Sequence, residues 1–174
     1  AYDAALSFAV GRENLYTLPG RAAWFDSYIN DWIIWLPTTK GFFSPRNIKD
    51  VHAYGVELKA NASFCLAKNW TLTLDGSFSW TPSINNGEPL SPADQSIGKQ
   101  LPYVPEYSAN VTGKISYKTF SFLYKWCYYS ERFTMSSNDM TLTGKLPTYF
   151  MSNIAIEKNL LFSFADFSIK FTIN

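Results

Sequence analysis

Trp70-Thr-Leu-Thr-Leu-Asp-Gly-Ser-Phe-Ser-Trp80 puts Trp70, Leu72, Leu74, Phe78 and Trp80 on one face of an extended chain, and Thr71, Thr73, Asp75, Ser77 and Ser79 on the other. Side chains of a strand alternate with a period of two, so this is a strand between two solvents. Ten residue steps of about 3.3 Å, tilted by about 45°, rise roughly 23 Å, close to the apolar band of about 25 Å on outer-membrane barrels. Tryptophan suits both ends, because its ring is apolar while its N–H wants the polar partner that a headgroup region supplies. A soluble sheet with this face turned inward competes, and one strand does not decide between them.

The rest of the chain narrows the choice. Its 174 residues suffice for one domain, and no shift of composition marks a linker, so residues 1–174 read as a single segment. Fifteen Lys and Arg stand against fourteen Asp and Glu with no basic run, which argues against a nucleic-acid partner. The longest apolar run, Trp32 to Leu36, falls far short of the roughly twenty residues of a spanning helix, so any membrane crossing is by strands. The start, Ala1-Tyr-Asp-Ala-Ala, lacks an initiator Met, a basic n-region and a cleavage site, as expected of a mature chain or a piece of a longer one. Cys65 and Cys127 fall on strands expected three apart, too far for a disulfide, and neither has metal-ligand company.

Period-two reading predicts strands over Tyr2 to Val10, Leu15 to Leu36, Val51 to Leu66, Trp70 to Thr81, Tyr107 to Tyr117, Phe120 to Thr134, Tyr149 to Lys158 and Phe164 to Ile173. Near Trp24 and Phe25 the apolar parity slips, for which a β-bulge is the expected cause. Short connections at Gly11 to Asn14, Ala67 to Asn69, Lys118 to Thr119 and Asn159 to Leu161 alternate with long ones at Pro37 to Asp50, Pro82 to Glu106 and Met135 to Pro147. Short turns on one rim and long loops on the other are the asymmetry of outer-membrane barrels. The expected fold is all-β, an antiparallel up-and-down transmembrane β-barrel, here a partial barrel of about eight strands. The opposite faces carry mostly Ser, Thr, Asn, Gly and Ala with scattered Asp26, Glu57, Lys59, Asp75, Lys114, Lys125 and Lys170, a wetted wall suited to a lumen wider than eight strands enclose.

Several stretches resemble one family. They are Trp24-Phe-Asp-Ser-Tyr-Ile-Asn-Asp-Trp-Ile-Ile-Trp-Leu-Pro37, Gly41-Phe-Phe-Ser-Pro-Arg-Asn47 and Tyr54-Gly-Val-Glu-Leu58. Leu101-Pro-Tyr-Val-Pro-Glu-Tyr-Ser-Ala-Asn110, Ser130-Glu-Arg-Phe-Thr134 and the closing Phe171-Thr-Ile-Asn174 follow in the same order. Together they resemble the C-terminal barrel of TonB-dependent outer-membrane receptors, of the siderophore and cobalamin kind. There a strand ending in Asp-x-Ile-x-Trp precedes a loop with Pro-x-Asn and a strand opening with Gly-x-Glu. The resemblance implies a transport protein, not an enzyme, in the outer membrane of a Gram-negative bacterium, taking up a large scarce solute such as an iron chelate or cobalamin. It implies as partners the outer-membrane lipid, the rest of the barrel with its plug, and TonB. The plug domain and closing strand are expected to lie outside these residues, and no cofactor is implied. An isolated piece is expected to self-associate through its edge strands. The alternatives are a self-contained eight-stranded outer-membrane barrel with a structural or adhesion role, and a soluble lipocalin-like ligand-binding barrel.

Candidate residues are few. Phe42 and Phe43 beside Arg46 suit a large ligand or the membrane edge equally, and Trp35 shares that choice with a girdle role. Trp70 and Trp80 are the expected membrane girdle. The single histidine, His52, falls by parity on the outward face near the outer rim, where no Ser or carboxylate is placed by sequence to activate a nucleophile, so no catalytic residue is expected. Asn85 to Asp94 offers oxygen ligands without regular spacing and reads as a plain loop, so no metal site is expected.

Overall fold

The alternation that dominates this chain builds a sheet. The computed structural model describes residues 1–37, 42–89, 92 and 94–174, without the side chains of residues 34–37, 43, 46–49 and 161. The elements are β1 (Tyr2–Arg12), β2 (Tyr16–Pro37), β3 (Phe43–Ala67), β4 (Trp70–Trp80), β5 (Ser83–Asn85), β6 (Tyr107–Tyr117), β7 (Phe120–Tyr129), β8 (Arg132–Phe133), β9 (Lys145–Leu146), β10 (Tyr149–Leu161) and β11 (Asp166–Ile173). The wall runs β1-β2-β3-β4-β6-β7-β10-β11, each strand antiparallel to its neighbour. Among the described residues β1 pairs only with β2 and β11 only with β10, so the sheet has two open edges. At one rim the turns are short, and Asn14, Asn69 and Lys118 take the left-handed conformation there at φ 59, 69 and 52. Asparagine tolerates that region better than most residues, which suits it to such turns.

Directly paired residues share a face, so register carries the alternation across the wall. Leu74 lies opposite Ala62 and Gly113, Leu72 opposite Phe64 and Ile115, Phe122 opposite Ile115 and Ile156, and Ile156 opposite Phe171. This apolar face is uncovered, with Leu74 39%, Phe167 52% and Ile169 61% exposed. Buried apolar residues among those described are only Val51, Leu101 and Ala155. A soluble barrel would have turned this face into a core, and no such core exists among the described residues.

Several boundaries differ from the sequence reading. β3 begins at Phe43, not Val51, and the β2–β3 ladder reaches Pro37 opposite Phe43, so most of the loop expected over Pro37 to Asp50 is strand. Its Pro, Ser and Asn read as loop, yet an extended hairpin that projects beyond an apolar band needs no apolar face. The bulge expected near Trp24 and Phe25 is absent, for Trp24 pairs Val56 and Phe25 pairs Gly55 in unbroken register. Parity blurs instead because the hydrophilic face turns apolar higher up, where Ile29 and Val51 are covered by Leu101 and Val104. A register shift lies instead between Cys65 and Ala67, in the β3–β4 ladder. β7 ends at Tyr129, where Ser130 exchanges bonds with Tyr107 through its backbone N–H and its hydroxyl oxygen, and Arg132–Phe133 form the separate β8. β10 continues through the turn expected at Asn159 to Leu161, and β11 begins at Asp166. Asp26, expected on the hydrophilic face, is on the apolar one: it pairs with Tyr2 and Tyr54 there.

The two long loops after β4 and β7 are joined. β5 continues the line of β4 beyond Pro82 and pairs with β3 at Val51 to Ala53. Asn85 is buried, donating to Ser96 Oγ at 3.0 Å and accepting from the Gly87 N–H, so the segment expected to be a plain loop is held by its own side chains. Gln100 N–H donates to Asn138 Oδ1 at 2.8 Å, and Asn138 Nδ2 returns a bond to the Gln100 carbonyl at 2.9 Å. Nearby, the Thr141 N–H and hydroxyl both donate to Asp139 and hold its carboxyl below its usual range, so these turn bonds loosen only as pH falls through that lowered value. Asn138→Ala removes both clasp bonds at a residue with φ 54 and is expected to cost this contact about 2 kcal/mol. Trypsin should then cut at Lys99 or Lys145 several-fold faster, with the wall strands still protected. An unchanged cleavage rate would show that the clasp does not hold the loops together.

Candidate functional site

On the hydrophilic face, register lines up Arg21, Lys59 and Ser77, then Asn61, Asp75 and Thr112, then Thr73, Lys114 and Leu123. Arg21, Lys59, Asn61, Asp75, Asn110 and Thr112 are among the residues around a hollow of about 530 Å³. Polar groups of this face bond within the wall: Asn61 donates to Asp75 and Asn110 Nδ2 donates to Ser77 Oγ at 3.4 Å beside the hollow, and farther along Lys114 Nζ lies 4.0 Å from Glu157, which also accepts from Ser168 at 3.0 Å. These are solvated ion pairs and hydrogen bonds of small individual weight. They make a wettable wall and no catalytic constellation. Glu57 and Lys59 stand on the same wall, opposite Ser79 and Ser77, while Asp75 is engaged by Asn61.

Where this face meets the long loops, its character changes. Tyr129 pairs with Ser108 on one side and Tyr149 on the other, and the two tyrosine rings stack at 5.2 Å. The Arg132 guanidinium lies over the Tyr149 ring at 4.7 Å. Lys145 Nζ binds Glu131 Oε1 at 2.7 Å and sits 5.2 Å from the Phe133 ring centre. An aromatic and cationic cluster thus occupies the rim of the hydrophilic wall.

A wall with one uncovered apolar face, one hydrophilic face and a loop-bearing rim is what a section of a wide membrane barrel presents. The family model described as TonB dependent receptor-like, beta-barrel, matches residues 1–174. The chain belongs to the TonB-dependent receptors. Among solved structures, BauA, the ferric preacinetobactin receptor of Acinetobacter baumannii, aligns over 98% of this chain with a TM-score of 0.61 and 9% identity. The copper transporter OprC aligns over 91% with a TM-score of 0.55 and 14% identity. At such identities the likeness is one of fold. The chain spans about a quarter of either structure, 24% and 22% of their lengths. No curated protein matches it in sequence. TonB-dependent receptors are outer-membrane proteins, and the open sheet here is part of such a barrel.

Within that barrel section, the residues singled out by sequence fall as follows. Trp70 and Trp80 share the apolar face near its two ends. Trp70 stacks on Tyr117 at 4.6 Å, and Trp80 donates its Nε1–H to Glu106 at 3.0 Å while meeting Tyr54 edge-on. Phe42 is exposed just before β3. The side chains of Trp35, Phe43 and Arg46 lie outside the described residues; their backbones pair Trp35 with Pro45, Ile34 with Arg46 and Pro37 with Phe43. His52 does have a carboxylate neighbour that sequence did not place: Nε2 lies 3.0 Å from Asp26 Oδ1, with the Tyr28 ring stacked at 4.2 Å and Tyr54 at 4.8 Å. Among the described residues no serine or threonine hydroxyl bonds to this ring. Tyr129, Arg132 and Tyr149 were not singled out. Their signal was the aromatic doublets Tyr128-Tyr129 and Tyr149-Phe150, which put one ring on each face of a strand.

Proposed function

We propose that this chain supplies wall and long loops to a TonB-dependent receptor that takes a large scarce solute, an iron chelate or cobalamin, across the outer membrane at the expense of energy delivered through TonB. The observation that carries the reading is the family match along residues 1–174 on a sheet with an exposed apolar face and a hydrophilic one. BauA's ferric chelate favours iron over cobalamin as the cargo, and OprC makes copper a competing metal. The protein is a transporter, with Trp70 and Trp80 anchoring the apolar face at the two headgroup levels. Residues 1–174 form one barrel segment without the plug. The remaining strands of a barrel of about 22 continue from the open edges of β1 and β11, and in the isolated piece those same edges drive self-association.

A self-contained eight-stranded barrel is disfavoured because β1 and β11 do not pair with each other. The test uses cells carrying the whole receptor. Deleting its gene, or separately disabling TonB, is expected to reduce uptake of labelled iron chelates or cobalamin to background, with recovery on returning the gene. Uptake of every such solute at full rate without TonB would refute energised transport.

A further inference from the structure

On the apolar face, the rim with the short turns departs from the alternation. Register places Trp70, Tyr117, Phe120, Lys158 and Ile169 in one row across β4, β6, β7, β10 and β11, on the face that also carries Leu72 and Ile156. A lysine therefore stands in a row of aromatics where an apolar residue is expected. Its ammonium lies 3.7 Å from the centre of the Phe120 ring, and that of Lys118, from the turn between β6 and β7, lies 5.3 Å from the centre of the Tyr117 ring. The Asn159 N–H bonds to the Thr119 carbonyl at 2.8 Å, which brings the end of β10 that bears Lys158 against the turn that bears Lys118. Among the described residues neither ammonium has a carboxylate partner. The neighbouring acid, Glu157, belongs to the opposite face, where it accepts from Ser168. Beside the two cations, Trp70, Ile115, Tyr117, Phe120, Phe122 and Ile156 are among the residues around an open apolar hollow of about 340 Å³.

We propose that this end of the wall binds one anionic glycerophospholipid of the leaflet beside the short turns, with its phosphate on Lys158 and Lys118 and an acyl chain in the hollow. The hollow alone would take any acyl chain, so charge decides the headgroup. Lysine stems lie along apolar surface while their heads reach the headgroup level, and two ammonium groups without carboxylates are complemented by phosphate oxygens. A zwitterionic headgroup brings its own ammonium to the same place, whereas a headgroup of net negative charge, such as phosphatidylglycerol, does not. The proposal rests on the outer-membrane placement of the barrel and is independent of the cargo.

The experiment titrates the purified full-length receptor in detergent with phosphatidylglycerol and, separately, with phosphatidylethanolamine of the same acyl chains, and counts the retained lipids by native mass spectrometry. The wild type is expected to retain phosphatidylglycerol several-fold more tightly than phosphatidylethanolamine. Lys158→Gln should weaken phosphatidylglycerol about fivefold, and Lys118→Gln by a similar or smaller factor, with phosphatidylethanolamine little changed. Lys125→Gln is the control: it removes a charge from the hydrophilic face, opposite Thr112 and Asn153, and should retain lipid as the wild type does. The heat-modifiable gel mobility of each variant reports assembly; should Lys158→Gln not assemble, Lys118→Gln must still weaken phosphatidylglycerol. Equal retention of the two lipids by the wild type overturns the site, as does unchanged retention by assembled Lys158→Gln or an equal loss in Lys125→Gln. TonB-dependent uptake alongside any of these results would leave the receptor reading standing and remove only the lipid site.

Discussion

Leu74→Arg is expected to destabilise the membrane-inserted receptor by about 2–4 kcal/mol, the cost of a lipid-facing cation near the bilayer midplane. Leu74 sits midway between Trp70 and Trp80, is 39% exposed, and lies opposite Ala62 and Gly113, neither of which offers a charged partner. Its chain neighbour Thr73 points the other way, opposite Ser63 and Lys114 on the hydrophilic wall. Thr73→Arg should therefore cost well under half as much, because the new charge enters water. Urea titration of the receptor folded into lipid vesicles measures both. Equal losses at the two positions would mean that the faces have been assigned to the wrong solvents.

Gly55→Ala is expected to cost about 3 kcal/mol, the upper end of overpacking effects, and to lower the temperature at which the receptor loses its compact gel mobility. A Cβ built at Gly55 runs into the Trp80 carbonyl oxygen, with the Trp80 carbonyl carbon at 3.0 Å and Thr81 Cα at 3.1 Å. All three are backbone atoms, so no rotamer change relieves them. The chain is fixed there by the Tyr54 N–H bonding to the Pro82 carbonyl and the Thr81 N–H bonding to the Glu106 carbonyl. Two other strand glycines are the controls. At Gly20 the three atoms nearest the added Cβ all belong to the Phe8 ring, which can swing away, and at Gly76 it meets nothing within 4 Å. Gly20→Ala should cost less than Gly55→Ala, and Gly76→Ala almost nothing. If all three behave alike, the close passage of β4 over Gly55 is not the reason for the glycine of the Gly-x-Glu segment.

The wall was legible because its information is local. Thr71 to Ser79 against Leu72 to Phe78 needs no distant partner to be read, and neither do the short turns at Asn69 and Lys118. The hairpin beyond Asn30 was misread because its ladder is set by β2–β3 pairing and its composition is that of a loop. The parity slip at Trp24 was misattributed for a similar reason: what turns Ile29 and Val51 inward is Leu101, some fifty residues later in a loop that no period predicts. Asp26 was placed on the wrong face through that same slip, and its approach to His52 followed only from the pairing of Tyr28 with His52. Among candidate ligand residues, those picked from the first long loop stood out as exposed aromatics beside an arginine. Arg132, Tyr129 and Tyr149 did not, since each looks ordinary alone.

From residue order alone come the strand class, the two-solvent faces, the order of the wall strands, the rim asymmetry and the resemblance to a receptor barrel. All of these follow from periodicity and from residues a few positions apart. Tertiary structure alone decides that Gln100 and Asn138 tie two loops together, and that a guanidinium from β8 rests on a ring from β10. Those depend on which strands lie side by side and at what register, and register brings together residues whose separation along the chain carries no pattern.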